Sequence, residues 1–143
     1  MHHHRSLWAR PALLASAAAA LLLLTAPGRA ETYYVNGTTG NDNWDGLCEE
    51  WDGGACGPKQ TIQAGVNVAS AGDVVIVADG VYAGAGNTNV YFSGKAITLT
   101  SANGPVDCIV DLNFTTPPAF RCVSGEGRNN VIDGFTVMKC AGC

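Results

Sequence analysis

The chain has 143 residues, with 12 acidic against 8 basic side chains and a formal net charge of −4. A negative surface repels phosphate backbones, so the composition excludes a protein that binds nucleic acid through a basic surface, and no nucleic-acid partner is expected.

Residues 1–30 have the pattern of an export signal. Arg5 and Arg10 precede an apolar run over residues 13–24, and Ala30 ends a small-residue site at which we expect cleavage. The run is shorter than the roughly 20 residues of a membrane-spanning helix, so no membrane span is expected after cleavage. Cleavage also removes Arg29 and leaves 113 residues, enough for one small domain, with five basic against twelve acidic side chains and a net charge of −7. All six cysteines lie in this part, which favours disulfides and a secreted, extracellular or cell-surface protein.

A strand and a long loop are predicted next. Residues 32–35 are aromatic and β-branched, as in a strand, and Asn36-Gly37 is a turn signal. Residues 37–58 are rich in glycine and acidic side chains, so their order must come from cross-links or a ligand. Cys48 and Cys56 bracket part of this loop, and we predict a disulfide between them.

A helical pattern begins at Pro58. Ile62, Val66 and Ala69 are spaced so that they share one face of a helix, and Gly72 stands where a C-terminal glycine is expected. The pattern predicts an amphipathic helix whose apolar face packs on a neighbouring element.

Short β-branched runs, separated by Gly, Asn, Asp or Pro, fill the rest of the chain. The predicted strands are residues 74–78, 90–92, 97–100, 108–112, 120–123 and 131–138. Residues 75–77 recur 22 positions later at 97–99, and residues 109–111 recur 22 positions later at 131–133. A period of this size predicts a solenoid in which each coil covers the next. The wider spacing between Ile97 and Val131 predicts an insertion around residues 114–118.

Two architectures fit these strands. An antiparallel sandwich also has turn signals every 8 to 12 residues. A sandwich has no reason to keep a 22-residue spacing, however, and the helix before residue 74 would hide the open apolar end of a solenoid and cover its free strand edges. We therefore predict an all-β fold, a parallel β-helix solenoid with an N-terminal amphipathic capping helix.

Four segments support this prediction by resemblance. Residues 58–64, 72–82, 97–105 and 131–137 resemble the N-terminal portion of bacterial secreted right-handed parallel β-helix proteins, the pectin-lyase-like superfamily. The resemblance implies a right-handed coil of three short sheets with aliphatic side chains stacked inside. The residue patterns and this resemblance together predict a signal peptide over residues 1–30, a strand, disulfide-bearing loop and capping helix over 31–72, and the first two to three coils over 73–143. The last strand has no polar cap, so further coils are expected C-terminally.

The resemblance leaves the activity open, because this scaffold serves lyases, hydrolases and adhesins. No catalytic motif of a lyase or hydrolase maps onto any position, and no catalytic residue is assigned. The leading interpretation is a structural, carbohydrate-associated or adhesive segment that contacts polysaccharide or a cell-surface glycan. The alternative is the N-terminal part of a polysaccharide lyase or glycoside hydrolase whose catalytic coils lie beyond residue 143.

Paired carboxylates are the first candidate site. Asp111 and Asp133 stand 22 residues apart and would stack on adjacent coils, about 4.8 Å apart by strand spacing. Such proximity would raise one of the two pKa values, as a catalytic dyad requires. Alternatively, both aspartates end a strand and cap backbone N–H groups of a turn.

A calcium loop is the second candidate. Oxygen-bearing side chains at Asn41, Asn43 and Asp45 alternate before Gly46, and Asp52 takes the twelfth position of the loop. Asx-turn hydrogen bonds explain the same residues without a metal. A small calcium-binding module is therefore a further interpretation, and no other cofactor is expected.

Two tryptophans and four cysteines complete the candidates. Trp44 and Trp51 either stack on sugar rings or pack the loop onto its neighbour. The pairing of the remaining cysteines is open, and the C-x-x-C spacing at the last two fits a structural disulfide, or partners beyond the end of the chain, better than a redox or zinc site. These cysteines are Cys108, Cys122, Cys140 and Cys143.

Overall fold

The computed structural model describes residues 28–115 and 117–141, so most of the predicted signal peptide, residues 1–27, lies outside the described residues. Strands predominate in this part of the chain. They are β1 (Thr32–Val35), β2 (Val74–Val77), β3 (Gly80–Ala83), β4 (Val90–Tyr91), β5 (Thr98–Ser101), β6 (Cys108–Asp111), β7 (Phe120–Arg121), β8 (Val131–Asp133) and β9 (Thr136–Met138). Helix α1 (Ile62–Val68) and a 3-10 turn at Gly127–Asn129 are the described helices. Neither helix has the length and apolarity to cross a membrane.

The strands form three sheets with parallel pairing throughout the described part. The first sheet has the order β1-β2-β5-β8, the second β3-β6-β9 and the third β4-β7. From β2 to β7 the chain visits the first, second and third sheets in that order twice, and β8 and β9 begin a third circuit. The prediction of a β-rich chain is confirmed, in the form of parallel sheets with little helix.

The register of the sheets differs from the predicted 22-residue spacing. Val75 pairs with Leu99, 24 positions later, and Ile109 pairs with Thr136, 27 positions later. The second predicted pair of runs is wrong altogether, because β6 and β8 belong to different sheets. Similar strings of β-branched residues recur in strands of different sheets, such as β2, β6 and β8, so string matching alone does not reveal which strands are neighbours.

The second circuit is longer than the first at every connection. The starts of β2 and β3 are six residues apart, whereas those of β5 and β6 are ten apart. The steps from β3 to β4 and from β6 to β7 are ten and twelve residues, and those from β4 to β5 and from β7 to β8 are eight and eleven. The extra residues are thus spread over three connections, and the connection that holds residues 114–118, where an insertion is predicted, has two of them.

Two glycines account for the largest remaining differences, which are the unpredicted strand over residues 80–83 and the division of residues 131–138. Asp79-Gly80 reads as a turn, yet Gly80 begins β3 with a φ of 153°. The apolar stretch 131–138 reads as one strand, yet Gly134, at a φ of 77°, separates β8 from β9 and sends them to different sheets. A positive φ of that size is readily adopted only by glycine.

The core consists of inward side chains that stack in register across the circuits. In the first sheet Val75, Leu99 and Ile132 are paired neighbours, and in the second Val110 pairs with Val137. Members from the first two circuits are buried, whereas Ile132 and Val137 in the third are 38% and 45% exposed. These columns of paired apolar side chains therefore continue into the third circuit, where they are exposed to solvent.

Helix α1 covers the opposite end of the core. The Thr61 hydroxyl caps the helix by accepting a hydrogen bond of 3.2 Å from the Ala64 N–H, so the helix begins after Thr61 rather than at Pro58. Its end is also earlier than predicted, because the chain leaves the helix at Ala69 and Gly72 belongs to the next turn. The predicted apolar face is confirmed, since Ile62, Val66 and Ala69 are all buried.

A lysine from the connection between β4 and β5 binds the C-terminal end of this helix. The Lys95 ammonium donates hydrogen bonds to the carbonyl oxygens of Val66 (2.5 Å), Asn67 (3.2 Å) and Ala69 (2.8 Å). Burial lowers the pKa of Lys95 from its ordinary value. The three carbonyls are groups that the helix itself leaves unpaired, so the lysine joins the helix to the second circuit.

Gly65 is required by close packing, although glycine weakens a helix by about 1 kcal/mol relative to alanine. A Cβ at this position would lie 2.6 Å from Val35 Cγ2 and 3.0 Å from Val75 Cγ1. We expect Gly65→Ala to destabilise the protein by up to about 2 kcal/mol, because overpacking costs about 1–3 kcal/mol and exceeds the gain in helix propensity. Urea unfolding would measure the change. A Gly65→Ala protein that is more stable than wild type would show that the helix moves freely on the sheet. Ala64→Gly, one residue away, should lose about 1 kcal/mol from propensity alone.

Candidate functional site

The loop between β1 and α1 forms one wall of the candidate site. It covers the outer edge of β1, where the Tyr34 N–H donates to the Gly46 carbonyl and the Lys59 N–H donates to the Tyr34 carbonyl, both at 2.8 Å. The predicted disulfide between Cys48 and Cys56 is confirmed. The loop, rather than the capping helix, therefore covers this strand edge, and the disulfide closes the segment that carries residues 49–51.

Two tryptophans stack on this loop. The rings of Trp44 and Trp51 are 5.4 Å apart between centroids and within 6° of parallel. Trp44 also lies against Gly57, where a Cβ would come within 2.4 Å of its ring. Trp51 donates its indole N–H to the Gly54 carbonyl at 2.9 Å and remains 57% exposed. Trp44 thus packs the loop, as one alternative predicted, and stacks on Trp51, which is otherwise largely exposed.

A cleft of about 410 Å³ lies between this loop and the outer face of the first sheet. Tyr34 and Ile76, which are paired neighbours on β1 and β2, line it from the sheet. Glu49, Glu50 and Trp51 line it from the loop. Its volume falls within the roughly 300–1,000 Å³ of small-molecule sites.

The charge of the cleft is negative. Glu49 and Glu50 are its charged lining residues among the described ones, and both are exposed. Neither carboxylate forms an ion pair within residues 28–115 and 117–141, where Lys139 and Asp111 form one. The lining therefore combines the exposed Trp51 indole with hydrogen-bond acceptors. This combination suits polar, ring-shaped ligands that also have apolar faces.

The four calcium candidates are engaged in turns or left at the surface. Asn41 accepts a hydrogen bond from the Asn43 N–H, Asp45 from Leu47 and Asp52 from Gly54, at 2.7–2.9 Å. These are the Asx turns that the second interpretation predicts. No group of three His, Cys, Asp or Glu side chains that could hold a metal ion occurs in the described residues. A calcium site at Asn41, Asn43, Asp45 and Asp52 stays a prediction, which a calorimetric titration with millimolar calcium would test.

Asp42, which the sequence does not single out, fixes the loop to the helix. Its carboxylate accepts hydrogen bonds from the Gln60 N–H (2.8 Å), the Thr61 N–H (2.9 Å) and the Thr61 hydroxyl (3.0 Å). Lys59 adds hydrogen bonds to the carbonyls of Asp42 and Trp44. The position of the tryptophans thus depends on the start of α1.

The predicted aspartate pair is wrong. Asp111 ends β6 in the second sheet, whereas Asp133 ends β8 in the first. Asp111 accepts hydrogen bonds from the Lys139 ammonium at 2.6 Å and the Asn113 N–H at 2.8 Å. These bonds hold the pKa of Asp111 below its ordinary value, opposite to the rise that a catalytic acid needs. The turn-capping alternative describes Asp111 correctly.

The remaining cysteines differ in whether their sulfur atoms are bonded. Cys108 and Cys122 are free thiols, and Cys140 is disulfide-bonded, while Cys143 lies outside the described residues. Burial raises the pKa of Cys108 to about 11, so this thiol is protonated and unreactive at neutral pH.

Removing the disulfide should both destabilise the protein and disturb the cleft. We expect the double replacement of Cys48 and Cys56 by serine to lower the free energy of unfolding by about 2–3 kcal/mol in the chain-entropy model. Urea unfolding measures this loss. Cys122→Ser, which removes an exposed free thiol, should change stability by less than about 0.5 kcal/mol. Equal stability of the double variant and wild type would contradict the prediction.

Sequence reasoning identified the tryptophans and the disulfide but missed Glu49, Glu50 and Tyr34 as members of one site. The alternation of side chains along strand 32–35 could have indicated Tyr34, because Val35 is buried and its neighbour must point outward.

Comparison of the chain with protein-family models, with curated proteins and with solved structures finds no match.

Proposed function

We propose that this chain is the glycan-binding part of a secreted or cell-surface right-handed parallel β-helix protein, and that it holds polysaccharide without breaking it. The observation that carries the proposal is that Trp51, an indole more than half exposed, lines the cleft. Sugar rings have apolar faces that stack on indole and hydroxyl groups that bond to polar lining residues.

The β-helix part of the proposal is supported by the order in which the chain visits its three parallel sheets. Parallel strands in one sheet are joined by right-handed crossovers in about 98% of cases, which favours a right-handed coil. Ile132 and Val137 extend the inward columns and remain exposed. We propose that further coils of the same kind cover them, since an uncovered apolar strand edge invites aggregation.

Glycan binding by the cleft is tested by screening the protein on a glycan array and measuring the best ligand by calorimetry. We expect Trp51→Ala to weaken binding of that ligand about tenfold or more, the effect of removing a binding hot spot. Phe114→Ala is the matched control, because Phe114 is an aromatic residue that is 70% exposed and lies outside the cleft. An array without any ligand, or equal affinities of Trp51→Ala and wild type, would overturn the proposal.

The enzyme alternative depends on coils beyond residue 143. It stays a prediction that the adjoining coding sequence tests, because further strands bearing stacked aspartates, or a basic residue beside acidic ligands, would favour a hydrolase or lyase.

A further inference from the structure

We propose that the cleft beside Trp51 selects glycans that carry free amino groups, such as oligosaccharides of 2-amino-2-deoxyglucose, over neutral and acidic glycans. This inference rests on the proposed function and adds the charge of the ligand. It is carried by the uncompensated carboxylates of the cleft and by their position next to an exposed indole.

Among the described residues, no lysine or arginine lines the cleft that holds the Glu49 and Glu50 carboxylates. Arg29, which lines a neighbouring pocket with Tyr34 and Leu47, precedes the expected cleavage site. Lys59 is the one basic residue between positions 30 and 94. It is only 6% exposed, and its ammonium is already bonded to the carbonyls of Asp42 and Trp44. An acidic sugar entering the cleft would meet two negative groups, whereas an ammonium group would find two partners.

Trp51 strengthens the same preference. One of its faces is occupied by Trp44, and the residue is otherwise largely exposed at the cleft. The face of an indole attracts cations more strongly than that of any other aromatic side chain. A sugar that stacks on Trp51 with an amino substituent would therefore place its positive charge near both the ring and the carboxylates.

The ligand's charge can be varied while its backbone is kept. We would compare a tetrasaccharide of 2-amino-2-deoxyglucose with its fully N-acetylated counterpart and with a tetragalacturonate, by calorimetry at about 0.02 M salt and about pH 5.5, where amino groups are protonated and glutamates are ionised. We expect the aminated tetrasaccharide to bind about two- to thirty-fold more tightly than the N-acetylated one, the range for two exposed ion pairs, and the galacturonate to bind more weakly than either. The preference should shrink at about 0.5 M salt, because screening weakens exposed charge pairs.

Two double variants distinguish the effect of the carboxylates in the cleft from the effect of the protein's overall negative charge. Glu49→Gln with Glu50→Gln should remove most of the preference for the amine and leave the smaller contribution of the Trp51 ring. Asp107→Asn with Asp133→Asn removes the same net charge from exposed positions outside the cleft and should leave the preference intact. Equal losses in the two double variants would reduce the effect to general attraction between opposite charges and overturn the inference.

Failure of the inference and failure of the proposed function give different results. If the N-acetylated or another neutral glycan binds as tightly as the aminated one, and Trp51→Ala still weakens it, the charge preference is wrong and glycan binding stands. If no glycan binds, both proposals are wrong.

Discussion

Replacement of Leu99 by alanine is expected to lower the free energy of unfolding by about 2–5 kcal/mol. Leu99 is fully buried in β5, the third of the four strands of the first sheet, where it pairs with Val75 on one side and Ile132 on the other. Truncation there leaves a cavity between two neighbouring strands that cannot close without disturbing their hydrogen bonds. Urea unfolding followed by tryptophan fluorescence would measure the loss.

Ile132→Ala is the control for Leu99→Ala. Ile132 occupies the next position of the same column but is 38% exposed, so its truncation leaves no closed cavity. We expect a loss of less than half that of Leu99→Ala. Equal losses would mean that the third circuit is as well covered as the second, and a loss below about 1 kcal/mol for Leu99→Ala would contradict the stacking of these strands.

Replacement of Gly40 by alanine is the second large effect, about 3 kcal/mol or more. A Cβ at position 40 would lie 2.3 Å from the carbonyl oxygen of Lys59 and 2.4 Å from that of Asn36. Both are backbone atoms that accept hydrogen bonds. The Lys59 carbonyl accepts from the Asn36 N–H, and the Asn36 carbonyl accepts from the Gly40 N–H, and these bonds hold the loop on β1. They cannot move away without breaking those bonds, so this overpacking is costlier than the usual 1–3 kcal/mol. Thermal unfolding would show the loss as a lower Tm.

Gly54→Ala provides the comparison in the same loop. Its Cβ would have an ordinary contact of 3.4 Å with Asp52, and Gly54 has no positive φ. Alanine at such a position restricts the unfolded chain and should be neutral or stabilising by about 0.4–1 kcal/mol. A Gly40→Ala protein as stable as Gly54→Ala would show that the loop does not sit on β1 as described.

Local elements could be predicted from the sequence wherever one segment decides the outcome. The strand Thr32–Val35 has the predicted bounds because its aromatic and β-branched residues end at a turn signal. The buried face of α1 follows from helical spacing alone. The register between neighbouring strands could not be predicted, because it depends on the lengths of the connecting loops, which the sequence pattern does not determine. Gly80 and Gly134 show the same limit, since each changes the course of a strand through a backbone angle that the pattern does not reveal.

The candidate site was predictable only in pieces. The pairing of Cys48 with Cys56 follows from a short separation within a loop, and the tryptophans attract notice as large apolar residues in a polar segment. That Glu49 and Glu50 face Tyr34 across a cleft requires knowing that the loop folds back on β1. The apparent stacking of Asp111 and Asp133 failed for the related reason that two strands of similar composition lie in different sheets.

The bonds from Lys95 to the last carbonyls of α1 link the helix to a segment almost thirty positions later in the chain. A seven-residue helix is too short to be stable alone, so its persistence depends on partners that are synthesised after it. The helix should therefore acquire its protection against hydrogen exchange only when the β4–β5 segment is in place, and both should open together as one cooperative unit. We therefore expect this end of the molecule to become ordered only after the chain of the first circuit is available to fold.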